Sequence, residues 1–261
     1  MEQEIYQVDA FTSEAFSGNP AGVCILKKPL PDPLLLKIAA EMNLAETAFL
    51  LRGKENTLRW FSPTMEVQLC GHATLAMVWI LFSTGMLQEN EPIHFSTRSG
   101  ILKCKVNNKL IEMDFPVIRT SIPEKSSIPN NTLFNALTME TSKEGYLIAE
   151  LQNEEKIRSF IPDFTTLKAL GAYVIILTAP GSNDYDFISR VFAPAFGINE
   201  DSVTGSAHCA LTPFWNKKTG KTTFKAFQAS PRGGEICTEL KGNRILLKGK
   251  AITVLKGTLY V

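Results

Sequence analysis

An internal repeat limits the fold of this chain of 261 residues more than any other feature. The stretch GHATLA at residues 71–76 matches GSAHCA at residues 205–210, which is a shift of 134 positions. The shift continues through the apolar positions of the hairpin sequences that follow. Upstream, RWFSP at residues 59–63 pairs with RVFAP at residues 190–194 after a slip of three residues. A register that persists over a turn, a helix and a hairpin predicts a duplicated chain with two similar halves.

Each copy of the repeat has the pattern of a strand, a glycine turn, a helix and a hairpin. Residues 73–82 are apolar on nearly every face, which is typical of a fully buried helix. Gly71 supplies the permissive backbone of a strand-to-helix turn. The second helix is predicted to start near Ser206, a good N-cap, and Pro213 is predicted to kink or shorten it. We therefore predict an α+β fold in which a mixed sheet curls around a central helix, twice over.

The boundary between the halves is predicted at the proline-containing stretch of residues 114–116. We assign residues 1–116 to the N-terminal half and residues 117–251 to the C-terminal half. The last strand, within residues 252–261, can return to either half, and its return to the N-terminal half would complete that half.

Composition bears mainly on partners and location. The chain carries 27 basic and 26 acidic residues, so no excess of positive charge points to nucleic acid or to an anionic membrane. The longest apolar run, residues 76–82, is too short to span a bilayer, and the acidic start of the chain does not resemble a signal peptide. The five cysteines are scattered without CxxC spacing, as in a reduced cytosolic chain. We expect a cytoplasmic protein.

The two glycine turns concentrate the residues that could carry chemistry. Two of the three histidines, His72 and His208, lie there. The neighbouring polar positions are Cys70, Asp201, Ser206 and Cys209. In a duplicated fold the two turns can face each other, with two helix N-termini directed at one crevice, which suits a substrate carboxylate. The alternative is that these small polar residues only cap helices, but the cluster as a whole favours a site.

A zinc site is a second interpretation of the same turns. Cys70, His72, His208 and Cys209 would form a Cys2His2 set if the turns converged. Their short spacings and shared positions at helix starts make that arrangement awkward, so we predict no metal.

Glu46 is the other candidate, in the segment NLAETAF at residues 43–49. It lies between apolar neighbours at a predicted helix-to-strand junction. A carboxylate there should be partly desolvated, which would raise its pKa toward the range that is useful for proton transfer. The alternative is a surface glutamate at the C-terminus of a helix.

Five segments of the chain resemble one known family. They are VDAFTSEAFSGNPAGV, MNLAETAF, WFSPTMEVQLCGHATLA, FAPAFGINEDSVTGSAH and AFQASPRGGE. From about Tyr6 to about Leu259 the chain is similar to the phenazine-biosynthesis-like (PhzF-like) proteins, closest to the branch that includes the vertebrate phenazine-biosynthesis-like domain protein. The resemblance implies the diaminopimelate-epimerase fold, with two similar α+β halves and a site in the cleft between them.

The resemblance also implies roles for particular residues. Glu46 matches the glutamate that moves a proton between carbon atoms in this family. The substrate-binding positions implied here are Gly71, His72, Asp201, Gly205 and Ser206. The implied enzyme is an isomerase that uses neither a metal nor an organic cofactor, acts on a small carboxylate and forms a homodimer.

Two alternatives to this isomerase stay open. Related epimerases use two thiols, one at each glycine turn, whereas this chain has Cys70 at the first turn and Thr204 where the second thiol would stand. An amino-acid epimerase or racemase would therefore have to use Glu46 and Cys70 on opposite faces of its substrate. The other alternative is a non-enzymatic module that binds a metabolite or a protein.

Overall fold

The computed structural model describes residues 2–123 and 133–261. The chain divides into two compact units. The first comprises Met1–Asp114 together with Lys248–Val261, and the second comprises Phe115–Leu247. Within the described ranges, no helix is long and apolar enough to cross a membrane.

The first unit contains a mixed sheet and two α-helices. Its strands are β1 (Glu2–Ala10), β2 (Asn19–Leu26), β3 (Glu46–Leu51), β4 (Asn56–Phe61), β5 (Glu66–Val67), β6 (Ile93–Thr97), β7 (Gly100–Asn107), most of β8 (Leu110–Pro116) and β17 (Ala251–Tyr260). Its helices are α1 (Asp32–Met42) and α2 (Gly71–Ser83). The last strand, β17, pairs antiparallel with β1 from Glu2↔Tyr260 to Ala10↔Ala251.

Helix α2 lies at the centre of the first unit and contacts β1, β2, β3, β7 and β17. Nearly all of its side chains are buried because its sequence offers no polar face. Gly249 shows how closely its surroundings are packed: a Cβ atom there would lie 2.8 Å from Leu75 Cδ1 and 2.5 Å from Phe11 Cδ1. The buried-helix prediction therefore holds for the first copy of the repeat.

The second unit repeats this plan, with two short helices where the first unit has α1. Its strands are β9 (Thr138–Thr141), β10 (Tyr146–Glu150), β11 (Val174–Pro180), β12 (Phe187–Ala193), β13 (Ile198–Asp201), β14 (Thr223–Gln228), β15 (Gly234–Lys241) and most of β16 (Arg244–Gly249). Its helices are α3 (Glu154–Arg158), α4 (Phe164–Ala169) and α5 (Gly205–Thr219). Helix α5 is the buried one, and its Leu211 and Phe214 belong to a core cluster with Phe187 and Phe224 of the sheet.

The order and sense of strand pairing are the same in both units. In the first, β2 and β3 are parallel and β3 and β4 antiparallel; β4 pairs antiparallel with β5 and parallel with β6, and β6 and β7 are antiparallel. In the second, β10, β11, β12, β13, β14 and β15 repeat these pairings in turn. The buried helix follows the short strand, β5 or β13, in each case. The duplicated α+β fold predicted from the repeat is confirmed.

Two equivalent arginine–glutamate ion pairs show where the slip in the repeat lies. Arg59 and Glu66 form a bidentate ion pair across β4 and β5, with N–O distances of 2.8 and 2.7 Å. Arg190 and Glu200 form the same pair across β12 and β13, at 2.8 and 2.9 Å. The first pair is seven residues apart in sequence and the second ten. The three extra residues lie between β12 and β13, in the segment that contains the 3₁₀ helix Pro194–Phe196.

Of the two effects predicted for Pro213, a kink or a shorter helix, the shortening is wrong, because α5 continues to Thr219. A proline at this position leaves the carbonyl of Cys209 without its partner in the helix. The backbone amide of Ile118 donates to that carbonyl at 3.1 Å. A donor from outside the helix thus replaces the missing hydrogen bond, which the local sequence of α5 could not indicate.

Candidate active site

Glu46 begins β3, immediately after the turn that ends α1. Asn43 closes the helix in the left-handed conformation (φ 49°), and its amide donates to the carbonyl of Ala39 at 3.2 Å. The predicted helix-to-strand junction is therefore present. The Glu46 side chain is only 13% exposed, so its carboxylate is enclosed rather than on the open surface.

Three side chains converge in the first unit: Glu46, Cys70 and His72. Glu46 Oε2 lies 3.3 Å from His72 Nε2 and 3.7 Å from Cys70 Sγ. Cys70 Sγ also lies 3.6 Å from His72 Nδ1. One donor atom from each residue falls within 4.8 Å of the others, which is the kind of set that a borderline-soft cation such as Zn²⁺ accepts. The arrangement combines a carboxylate, a thiol and an imidazole around Oε2.

The N-terminus of α2 opens onto this cluster. Cys70 is the N-cap residue, in an extended conformation (φ −140°), and its side chain makes no capping hydrogen bond. The first amides of the helix, including those of Gly71 and His72, therefore lack the acceptor that a capping side chain would supply. Together with the helix dipole, these amides suit an anion.

His72 is a neutral imidazole. Burial lowers its pKa from the usual 6.5 to about 3. Its contact with Glu46 is therefore not an ion pair. The geometry between Nε2 and Glu46 Oε2 is also not that of an ordinary hydrogen bond. On the other side of the ring, Asn19 Nδ2 lies 3.3 Å from Nδ1. Sequence reasoning missed Asn19, because a single asparagine in a GNP turn has no pattern that points to a site.

Gly18 determines how Asn19 enters the sheet. Its φ is +66°, and a Cβ atom there would lie 2.2 Å from the carbonyl oxygen of Ala10, so only glycine fits. Asn19 then begins β2 opposite Ala10 and is almost completely buried.

The second glycine turn is tied together by Gln228, a fully buried residue that the sequence analysis also missed. Gln228 Oε1 accepts from the amide of Thr204 at 2.8 Å, and its Nε2 donates to the carbonyl of Asp201 at 2.7 Å. Thr204 Oγ1 in turn donates to Asp201 Oδ2 at 2.5 Å. Asp201 is therefore held in place by contacts at both its carbonyl and its carboxylate.

Helix α5 begins at Gly205, with Thr204 as its N-cap, so Ser206 lies inside the first turn and is not the N-cap that was predicted. Ser206 hydrogen-bonds with Tyr146, the first residue of β10. Burial is the main cause that raises the pKa of Tyr146 above its usual 10, so the phenol keeps its proton and can donate. Tyr146 is a further polar residue at this turn that was not predicted.

The second unit has no carboxylate in the position of Glu46. Glu46 and Ala21 form the first residue pair between β2 and β3, and Tyr146 and Val174 form the first pair between β10 and β11. Val174 is therefore the counterpart of Glu46. The duplication does not supply a second acid/base at this place.

His208 and Cys209 belong to the core of the second unit. His208 Nδ1 lies 2.9 Å from the carbonyl oxygen of Thr204, and its ring stacks on Phe187 with centroids 5.8 Å apart. Burial lowers the pKa of His208 to about 4. The thiol of Cys209 donates to the carbonyl of Gly205. Both side chains are therefore used in hydrogen bonds and packing within the second unit. The prediction that the two glycine turns face each other stays a prediction.

Comparison with known proteins identifies relatives along the whole chain. The phenazine biosynthesis-like protein family (PhzC–PhzF) matches residues 8–257. An uncharacterized isomerase from Halalkalibacterium halodurans is 44% identical, and the match covers 100% of both chains. The human phenazine biosynthesis-like domain-containing protein is 36% identical, over 99% of each chain.

Solved structures agree with these relatives. The crystal structure of a PhzF-family phenazine biosynthesis protein from Enterococcus faecalis has a TM-score of 0.92 at 41% identity, covering 100% of both chains. A hydroxyproline epimerase from Agrobacterium vitis has a TM-score of 0.65 at 12% identity, covering 99% of this chain and 92% of its own, which is a likeness of fold alone. The family resemblance and the epimerase-like fold are thereby confirmed. The chain belongs to the phenazine biosynthesis-like (PhzC–PhzF) family and is an isomerase.

Proposed function

We propose that the protein is a cofactor-independent isomerase that moves a proton between two carbon atoms of a small carboxylate substrate, with Glu46 as the acid/base. The observation that carries this proposal is the enclosed carboxylate of Glu46 beside a neutral imidazole at the start of α2. Such a transfer needs one group that accepts a proton from carbon and can return it. A glutamate with limited access to water suits that task.

The proton balance is simple. The Glu46 carboxylate takes a proton from a C–H bond, and the electron pair of that bond passes into the conjugated system of the substrate. The carboxylic acid then returns the proton to a second carbon, so the enzyme ends in its starting state. Developing negative charge is stabilised by the amides of Gly71 and His72.

The other proposed substrate-binding residues are Asp201, Gly205 and Ser206. The contacts of Gln228 hold Asp201 in place, and Tyr146 orients the hydroxyl of Ser206. The first amides of α5 share with those of α2 the lack of a capping side chain, which supports a role in binding an anion. A homodimer and a cytoplasmic location stay predictions, and sedimentation of the purified protein tests the first.

Geometry disfavours the epimerase alternative with Glu46 and Cys70 as bases on opposite faces. Each base must approach the reacting carbon to about 3–3.5 Å, so two flanking bases stand about 6–7 Å apart. Glu46 Oε2 and Cys70 Sγ are 3.7 Å apart, which leaves no room for a carbon atom between them. The non-enzymatic alternative is disfavoured because the bacterial relatives are named isomerases.

The test is the Glu46→Gln variant, which keeps the shape of the side chain but cannot accept a proton from carbon. Small-molecule extracts and a panel of small carboxylates are incubated with enzyme in deuterated water, and deuterium incorporation is followed by mass spectrometry. We expect a rate loss on the order of 10²–10⁴. Glu41→Gln, at an exposed glutamate on α1, is the matched control and should exchange at the wild-type rate.

Thermal melting of all three proteins accompanies the assay. The proposal requires lost exchange with an unchanged melting temperature. Exchange by the Glu46 variant at a near wild-type rate would show that another group is the base, and its unfolding would assign Glu46 a structural role.

A further inference from the structure

We propose that Asn19 is a positioning residue: its side-chain amide selects the tautomer of His72 in which Nδ1 is bare and Nε2 carries the proton toward Glu46. The inference rests on the proposed function of Glu46 and adds a residue to that site. It stands on three contacts within the first unit and on the rules of imidazole hydrogen bonding.

The proton count of the His72 ring makes its two nitrogens unlike. A neutral imidazole has one N–H group and one bare nitrogen, and the hydrogen bond at one nitrogen decides which is which. Burial keeps His72 neutral across the physiological pH range. Its two nitrogens must therefore differ, and their neighbours decide the tautomer.

Nδ1 of His72 has two polar neighbours. Its neighbours are Asn19 Nδ2 at 3.3 Å and Cys70 Sγ at 3.6 Å. The amide nitrogen can only donate, whereas the single proton of the thiol can go either to Nδ1 or to Glu46 Oε2, which lies 3.7 Å from Sγ. The contact with Asn19 therefore suits a bare Nδ1, and the contact with the thiol allows it. Asn19 is almost completely buried at the start of β2, so its amide has a fixed place beside the ring.

Nε2 of His72 lies 3.3 Å from Glu46 Oε2. A bare Nε2 would direct its lone pair at the oxygen of an ionised carboxylate and repel it. A protonated Nε2 attracts that oxygen instead. The opposite orientation of the Asn19 amide would place its oxygen at Nδ1, require a proton there and leave Nε2 bare. Toward the ionised Glu46 that the proposed function requires, only the orientation with Nδ2 at Nδ1 therefore satisfies both ends of the ring.

The consequence for catalysis concerns the resting state of Glu46. An N–H group at Nε2 favours the ionised carboxylate, which is the form that can accept a proton from carbon. The contact is long and poorly aligned here, as catalytic hydrogen bonds often are before substrate binds. Asn19 thus acts on the base through His72 and needs no contact with the substrate.

The experiment is nitrogen NMR of protein labelled with ¹⁵N in its three histidines. We expect the wild-type His72 spectrum to show a bare Nδ1 and a protonated Nε2. His208 serves as an internal reference with the opposite tautomer, in which Nδ1 carries the proton, because its Nδ1 donates to the carbonyl of Thr204. Signals are assigned with His208→Asn and with His94→Gln, the latter at an exposed position. A protonated Nδ1 in wild-type His72 overturns the proposal, whatever any variant does.

Asn19→Asp is the second arm, because it exchanges the donor for an acceptor of the same shape. We expect Nδ1 of His72 to gain a proton, and deuterium exchange to fall on the order of 10–100-fold, the cost typical of losing a group that orients a histidine ligand. A variant that folds and keeps Nδ1 bare would show that Asn19 does not select the tautomer. The NMR result is independent of the Glu46→Gln assay, so failure of the tautomer proposal and failure of the proposed function are distinguishable.

Discussion

The buried His208 should make stability fall between about pH 6.5 and pH 4. Its pKa is about 4 in the folded chain, and an unfolded histidine titrates near 6.5. Below about pH 6.5 the unfolded state therefore binds a proton that the folded state does not, and folding weakens as the pH falls. Above pH 6.5 the contribution is fully present, and below about pH 4 the loss is complete because both states are protonated.

The magnitude follows from the separation of the two pKa values. Each pH unit inside the window costs about 1.4 kcal/mol for one proton, so lowering the pH from 7 to 5 costs about 2 kcal/mol through His208 alone. The side chain is fully buried, so no solvent screening reduces this figure. The carboxylates of the chain add their own acid dependence, which a comparison of variants has to remove.

The assay is urea unfolding of wild type and His208→Asn at pH 7 and pH 5. Asparagine keeps an N–H donor for the carbonyl of Thr204 but does not titrate, so we expect the wild-type advantage to shrink by about 2 kcal/mol at pH 5. His94→Asn, at an exposed histidine, controls for the loss of one imidazole and should keep the wild-type pH dependence. A wild-type advantage that is the same at both pH values would refute the reasoning, because His208 would then be protonated equally in both states.

Three further predictions concern the site and the fold. Cys70→Ser should lower deuterium exchange by less than the ~10²-fold cost of losing an acid/base, whereas near-total loss would make the thiol catalytic. Dialysis against EDTA should leave exchange unchanged; a loss that Zn²⁺ restores would show that Glu46, Cys70 and His72 hold a metal. Arg190→Ala should lower the free energy of unfolding by about 3–5 kcal/mol, because it strands the mostly buried Glu200 and the carbonyl of Phe160. Arg158→Ala, in an exposed pair with Glu154, should cost less than about 1 kcal/mol in the same urea titration, and equal costs would contradict the argument.

The repeat in the sequence was enough to predict the architecture of each unit. When two segments match at a constant shift, their strands and helices follow one another in the same order. The strands of each copy can then pair in the same way around the helix that they cover. The slip of three residues was visible in the sequence, but its place in the fold was not. The ion pair of Arg190 with Glu200 locates it, because these two residues are three positions farther apart in the chain than Arg59 and Glu66.

The candidate site was predictable only where a residue stands in a motif. Glu46 and His72 were found by their segments, but their contact at 3.3 Å depends on how β3 and α2 pack together. Asn19 and Gln228 also lie in quoted family segments, VDAFTSEAFSGNPAGV and AFQASPRGGE, but they were missed because each is a single buried polar residue that contacts a turn far away in sequence. Such residues have no periodic pattern, and their hydrogen bonds appear only when the fold is known.

The hydrogen bond from the amide of Ile118 to the carbonyl of Cys209 changes the expected effect of replacing Pro213. In an isolated helix, replacing an internal proline by alanine is among the most stabilising changes, at about 3 kcal/mol. In α5 the carbonyl of Cys209 already accepts from the amide of Ile118, so the new amide of alanine would add less than in an isolated helix, where that carbonyl has no partner. Pro213 therefore leaves one carbonyl of α5 open to the amide of Ile118, which lies just after β8. One hydrogen bond within the helix is replaced by one that anchors the first residues of the second unit to α5. Helix propensity alone would therefore give the wrong change in stability for substitutions of Pro213.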